Sequence, residues 1–516
     1  MLGKDFKNIK EIFKRKINMA LSVIVIFLIG GVISLSMTEE EIKKKAEEFR
    51  TEEYYYMDGE KGEGKNPLDT MNAAEAYAQG YTGKGVTLGI VDDYVNLSHR
   101  EFINKDNSYV IGEIPEDIDW GVSDHGTHVA GIMSASKDGK GMHGVAFNSN
   151  FVSGDNFNRK NLSEERMLKE AYTYFNSRED IKIINNSWIF NLYIDEIHYT
   201  YDPKGYQGKK GILEIIEREG ISNEIEILKN SMKKYNKLLI LGNGNFGHIT
   251  PALLPILSYL DEDVKNNIIG VTALNTSLKE SNSGFLAAYS DLNKYNEENS
   301  ISAPGTYINS VNAASSQKYI PMTGTSMATP MVTGVGGLVQ EAFPYMTGKQ
   351  IGDVLLSTAS KVIVHSQKFV WTIQEEGEDF LSLSMIYFGE KPNSKEILKE
   401  DMKEYYEANK KLLEIFYLGS NSTVEEFLDI FIEENFVSIF ENVPYEIVYG
   451  QGIVDAGKAV KGLGTLNARR LGKEDISSSN GRVKEYLSGK EQVLYTIDTM
   501  GYDSTWSNNI SETKVG

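Results

Sequence analysis

Cysteine is absent from all 516 residues, which excludes thiol catalysis, disulfide cross-links and Cys-ligated zinc. An exported chain can also lack disulfides, so this absence does not hold the protein in the cytoplasm. Basic charge is in deficit: 53 Lys and Arg stand against 73 Asp and Glu, a formal net charge of −20. That field repels nucleic acid and anionic lipid, and no dense basic stripe offsets it, so no nucleic-acid partner is expected. Histidine is scarce, at seven residues, which leaves few candidates for an imidazole base. Long apolar runs are also scarce, and the one that stands out lies near the start of the chain.

That run, ALSVIVIFLIGGVISLS from Ala20 to Ser36, follows a basic region of Lys4, Lys7, Lys10, Lys14, Arg15 and Lys16. At about 17 residues it is short for a spanning helix. With Ser34 and Ser36 as a small-residue cleavage pattern, residues 1–36 fit a signal peptide. An uncleaved anchor is the alternative. Either way the rest of the chain is expected outside the cytoplasm, extracellular or at the cell surface. Apolar residues at 41% and aromatics at 10% describe a packed globular protein of more than one structural unit.

Residues 37–67 are charged and polar and read as a linker, too short to fold alone. From Asp69 the text changes. MNAAEAYAQG has a helical pattern ended by Gly80, and VTLGIV (Val86 to Val91) is a short apolar strand. Helical LSEERMLKEAYTYF, strand IKIINNS, helical EIEILKNSMKKYN, strand KLLILGNGN and strand IIGVTAL follow, then two helices, SMATPMVTGVGGLVQEAF and GKQIGDVLLSTAS. Continuous apolar strands alternating with helices predict an α/β fold, a doubly wound and mostly parallel sheet with helices on both faces. In such sheets functional groups collect beyond the carboxyl ends of strands. Residues 361–444 are acidic and mostly helical in pattern. They read as an insertion, because core-like text resumes at YGQGIVDAGKAV. Residues 465–516 are polar, a flexible tail or the start of a β-rich extension.

Three segments carry chemistry. Asp92 and Asp93 end the first apolar strand, where one could orient a catalytic group, both could share a metal or proton, or both could cap a turn. In SDHGTHVAGIMSA, His125 and His128 flank a turn that runs into a small-residue helix. In MTGTSMATPMVTG, Ser326 stands at a helix N-terminus, where free backbone N–H groups favour developing negative charge. A serine hydroxyl is a weak nucleophile at neutral pH. It needs an imidazole to take its proton and a carboxylate to hold that imidazole in the right tautomer. His125 is the histidine set among glycines and small residues on a loop. The His125/His128 spacing could also serve a metal, but only Asp124 offers itself nearby as a third ligand. His128 alone reads as a packed, hydrogen-bonded residue. Out of context, Ser326 would read as an ordinary helix cap.

Over roughly Asp69 to Gly464 these strings resemble the subtilisin-like serine proteases, or subtilases. HGTHVAG and GTSMATP carry the resemblance, and the order Asp, His, Ser is that of the family. TGKGVTLGIVD, HGVAFNSN, IINNSW, ISAPG and YGQGIVDAGKAV fall in the expected sequence, so the peptidase domain is placed at 68–464. ITPALLPILSYLDEDVKNNIIGVTALN, the YTGKG opening and the WSNNISE tail resemble the protease passengers of Gram-negative autotransporters. No run of alternating lipid-facing strands appears before Gly516, so outer-membrane association would use an anchor outside this sequence.

The resemblance implies a serine endopeptidase acting on polypeptides through an acyl-enzyme, with Ser326 as nucleophile and His125 as general base and then acid. Laid on the family's apolar-apolar-Asp-hydroxyl-Gly pattern, Asp92 is the orienting carboxylate, while Asp93 replaces the hydroxyl residue and Tyr94 the glycine. The oxyanion donor is expected at Asn245, because Gly244-Asn245-Phe246-Gly247 keeps both glycines of the family pattern; Asn243 is then a turn residue. Ser187 and Trp188 fall where the family binds substrate, with Ile189 at a position that is commonly glycine. No loop has calcium-ligand spacing, and neither metal nor cofactor is expected. The other reading is a catalytically silent subtilase scaffold used in surface binding or adhesion.

Overall fold

The computed structural model describes residues 37–462 apart from 60–64, 113, 122–123, 156–162, 191–208, 249, 277–285, 288, 362–367, 373–383, 389–395, 397–398, 400–440 and 443. The expected signal peptide and the C-terminal extension lie outside the described residues. So do nearly all of the helical-pattern segments of the 361–444 insertion.

The chain first forms α1 (Glu39–Ala46) and α2 (Ala73–Ala78), then β1 (Thr87–Asp92) and β2 (Tyr109–Val110). Next come α3 (His125–Ser134), β3 (Asn150–Asp155), α4 (Glu164–Asn176) and β4 (Ile183–Asn186). They are followed by α5 (Ser222–Tyr235), β5 (Leu238–Gly242), α6 (Leu253–Leu260), β6 (Ile268–Leu274) and β7 (Ser300–Pro304). A hairpin of β8 (Ile308–Val311) and β9 (Tyr319–Met322) leads into α7 (Thr325–Ala342) and α8 (Gly348–Ser357).

Seven strands make one sheet in the order β2-β3-β1-β4-β5-β6-β7, and every pairing in it is parallel. Side chains alternate between two buried faces, which is why the strands read as unbroken apolar runs. Leu88 and Ile90 of β1 and Leu238 and Ile240 of β5 join one cluster with α3, α7 and α8. Val91, Leu239 and Leu241 join the other, with α4, α5 and α6. The doubly wound α/β expectation from the sequence is what the topology shows. The chain runs outward from β1 to β3 and then crosses back to β4 on the other side. The ends of β1 and β4 therefore flank a crevice at the topological switch point, with Val91 beside Asn186.

One expectation needs correction. Residues 37–59 are docked structure rather than a linker. Thr38 and Glu41 form a reciprocal capping box on α1, and Ile42, Ala46 and Tyr54 are buried. Asn309 donates its N–H to Met57 O at 2.9 Å, adding this segment to the edge of the β8–β9 hairpin. A few apolar anchors at helical spacing sufficed, and the surrounding charge hid them. In the 361–444 insertion, three short described strands, β10 (Lys368–Thr372), β11 (Ser384–Phe388) and β12 (Glu441–Asn442), pair antiparallel in the order β11-β10-β12, outside the segments with a helical pattern.

Candidate active site

β1 ends at the switch point on Asp92, which is 2% exposed. His125 opens α3, and its Nδ1 lies 2.7 Å from Asp92 Oδ1. An ionised carboxylate can only accept, so Nδ1 carries the proton and Nε2 of a neutral ring holds the lone pair. Burial opposes charge on the imidazole, but Asp92 outweighs it, with smaller help from Asp93 and Asp124, and raises His125 to about 9. A third of the His125 side chain, 34%, remains exposed. The sheet and α3 thus bring two of the predicted residues into contact.

Asp93 does different work. Its Oδ1 accepts the Gly126 N–H in a short hydrogen bond, while Asp124, the residue at the N-cap of α3, makes no capping bond with its side chain. The cap comes instead from the residue that follows β1, and it fixes where His125 starts its helix. A Cβ on Gly126 would lie 2.4 Å from Asp93 O, so only glycine permits the approach. Burial first, and then the Asp92 charge, push the Asp93 carboxyl up to about 7, against the pull of His125 and the Gly126 N–H. His128 lies apart: its Nε2 is 2.9 Å from Ile320 O, tying α3 to β9, and burial lowers its pKa to about 3. The two histidines therefore do not converge on a common ligand position.

Ser326 is the second residue of α7. Its hydroxyl donates to Ser187 O at 3.1 Å, and the Ser187 hydroxyl donates to Ser326 O at 2.9 Å. The second bond has a covalent origin. Pro330 stands four residues after Ser326 inside the helix and has no N–H to give to the Ser326 carbonyl. Ser187 takes that place. Asn185 Nδ2 donates to Ser187 Oγ at 2.9 Å, and Thr333 Oγ1 donates to Asn185 Oδ1 at 3.0 Å. The end of β4 and the first turns of α7 are thereby locked together by a buried polar ladder that the sequence did not announce. Trp188 is 8% exposed and packs edge-on against Phe190 at 5.3 Å.

The loop after β5 presents Asn245. Thr325 N–H donates to Asn245 Oδ1 at 2.8 Å, and Thr325 Oγ1 does so at 3.1 Å. A backbone donor requires the amide oxygen there, so the NH₂ group faces away from Thr325. A methyl group built on Gly324 would be 3.4 Å from Asn245 Nδ2 and 3.6 Å from Ser326 N. The amide and the backbone nitrogen of Ser326 therefore border one small space. Gly244 (φ +121°) and Gly247 (φ +69°) give the loop the positive φ angles that bracket Asn245. Asn243 is fully buried, and its Nδ2 donates to Asn293 Oδ1 at 2.7 Å, a structural role in the turn. Among the described residues, no group of three or more His, Asp or Glu could hold a metal ion.

A carboxylate-held imidazole, a serine at a helix N-terminus and a fixed amide share the carboxyl ends of β1, β4 and β5, an arrangement suited to acyl transfer. Residues 83–381 match the subtilase family, and the chain belongs to it. An extracellular serine protease of Serratia marcescens is 30% identical over 351 residues, covering 57% of this chain and 31% of that protein. Subtilisin E of Bacillus subtilis (strain 168) is 26% identical over 299 residues, covering 57% of this chain and 65% of the relative. The match thus spans less than a third of the Serratia protein. A solved cold-adapted subtilisin-like serine proteinase aligns at 22% identity over 55% of this chain and 85% of that one, with a TM-score of 0.37.

Proposed function

We propose that this chain is an exported serine endopeptidase that hydrolyses polypeptides through an acyl-enzyme on Ser326. The observation that carries the reading is the 2.7 Å contact between His125 Nδ1 and buried Asp92 at the end of β1, with the Ser326 hydroxyl bonded to Ser187 O just past the end of the neighbouring β4. In this mechanism substrate turns the Ser326 hydroxyl from Ser187 O toward His125 Nε2. The Oγ–carbon bond forms as the proton moves to Nε2. The same proton then goes to the leaving amine as the carbon–nitrogen bond breaks, and water repeats the sequence to free the acid. Asn245 Nδ2 and Ser326 N–H receive the negative oxygen. Ser187 and Trp188 line the substrate side, and the catalytic unit spans 68–464.

Asn245→Ala is expected to lower kcat by roughly 10²–10³, the general magnitude for losing one oxyanion donor, with KM little changed. A fall in kcat/KM carried by KM alone would remove Asn245 from this role. The pH dependence should depend on Asp93. A neutral imidazole is the active base, so kcat/KM rises with pH as His125 loses its proton, and the raised pKa places that limb on the alkaline side of neutrality. Above about pH 7 Asp93 is ionised and helps hold the His125 proton. Asp93→Asn keeps an acceptor for Gly126 N–H but removes that charge. It should move the limb to lower pH by about one pH unit with the plateau retained. An unmoved limb would show that Asp93 does not act on His125.

A fluorophosphonate probe tests the activity directly. Wild-type protein should take the label and Ser326→Ala should not; an unlabelled wild type would favour the silent scaffold. Export rests on the N-terminal basic-apolar pattern and on the similarity to a protein named as an extracellular serine protease. A relation to autotransporter passengers rests on the resemblance of the ITPALLPILSYLDEDVKNNIIGVTALN, YTGKG and WSNNISE strings. Termini of exported wild type and Ser326→Ala, read by mass spectrometry, would test whether processing is autocatalytic.

A further inference from the structure

The Asn245 loop makes few contacts with the helix it serves. Gly244 N–H donates to Thr325 Oγ1 at 3.2 Å, and Asn245 Oδ1 meets Thr325. A second set of bonds ties it to the segment between β6 and β7. Phe246 N–H and His248 N–H both donate to Asp291 Oδ1, at 2.9 and 2.8 Å. Asp291 N–H donates back to Gly244 O at 3.0 Å, and Gly247 N–H donates to Tyr289 O at 2.9 Å. Asp291 has no exposed surface. Its own segment is sewn to β6, where Ala273 N–H donates to Ser290 Oγ at 2.9 Å and Ala287 N–H donates to Ala273 O at 3.1 Å.

We propose that Asp291 is a positioning residue that holds Asn245 in register with the Ser326 backbone N–H by bracketing the loop on both sides of Asn245. A loop with two glycines in the left-handed region has little stiffness of its own. An oxyanion donor works only if it is already in place when charge develops. The two bonds that residues 246 and 248 donate to one Asp291 oxygen, together with the bond Asp291 N–H donates to Gly244 O, supply that rigidity across the five residues that contain Asn245. The place calls for an oxygen that accepts two backbone donors at once, which a carboxylate or an amide supplies and an alanine does not.

This inference rests on the serine-protease reading, and the test separates the two. The readout is the rate of Ser326 phosphonylation by a fluorophosphonate, divided into kinact and KI, for wild type, Asp291→Ala, Asn245→Ala and the double variant, with thermal melts for each. Asp291→Ala should lower kinact about tenfold with KI unchanged, because displacement of a donor by a fraction of an ångström is costly. In the Asn245→Ala background the same change should cost at most about twofold, since the donor it positions is gone. Asp291→Asn, which keeps an acceptor in place, should recover to within about threefold of wild type. Equal losses in both backgrounds, a loss carried by KI, or no loss at all would overturn the proposal. If Asp291→Ala does not fold, Asp291→Ser is read in the same cycle. A wild type that takes no label would defeat the protease reading itself, whereas a labelled wild type with an additive cycle defeats only this role for Asp291.

Discussion

Ser326→Ala is expected to lower kcat about 10⁶-fold, the general magnitude for deleting the nucleophile of a Ser-His-Asp set, while the protein stays folded. The second half of that statement follows from the hydrogen bonds. Ser326 contributes one side-chain bond, to Ser187 O, from a half-buried position. Its backbone carbonyl, left without an N–H by Pro330, keeps the Ser187 hydroxyl in either variant. Losing one such bond costs about 1 kcal/mol, small beside the stability of a domain of this size. Circular dichroism melts of the two proteins should therefore nearly superimpose, while hydrolysis of fluorescent casein separates them. A melt displaced by tens of degrees would mean that the loss of activity reports unfolding. Residual turnover of about 10³–10⁴ over water is expected, because Asn245 and the helix N-terminus remain.

Asp92→Asn is expected to lower kcat about 10⁴-fold, whereas Asp93→Asn should change the plateau little. Asp92 Oδ1 accepts from His125 Nδ1 at 2.7 Å and from Asp93 N–H at 2.9 Å, so this carboxylate sets the tautomer. An amide at residue 92 can donate to Nδ1. That puts the imidazole proton on Nε2, where the lone pair is needed to take the Ser326 proton. Asp93 faces the Gly126 N–H, and an asparagine can still accept there. Comparing kcat of the two variants at a pH above both rising limbs, on the plateaus, checks the ranking. Were Asp93→Asn the crippled variant, the assignment of the orienting carboxylate would be wrong by one residue.

Much of this was legible from local text. Strands β1, β5 and β6 were readable because both faces of a parallel strand are apolar, and β6 falls on the IIGVTAL run. Ser326 and His125 were readable because their neighbours must be small: Gly126 meets Asp93, and Gly334 and Gly336 of α7 meet Val145 and Ile183 side chains. Docking of residues 37–59 was not readable, since three or four buried anchors among many charges give no periodic signal. The polar ladder from Thr333 to Ser187 was equally silent, because it joins segments more than a hundred residues apart in sequence.

The sequence by itself determined the family and the sheet and singled out His125 and Ser326 as the candidate imidazole and hydroxyl, because these depend on short strings whose spacing is set by helix and strand geometry. It left Asp92 and Asp93 with three readings until the family pattern was laid on them. The tertiary structure decided that only Asp92 meets His125 while Asp93 caps α3. It also decided that Asn245 borders the Ser326 N–H while Asn243 is buried in the turn, and that Asp291 brackets the loop between them. Adjacent carboxylates and near-adjacent asparagines are chemically alike. What distinguishes them is which packed neighbour each one faces, and that exists only once distant segments have come together.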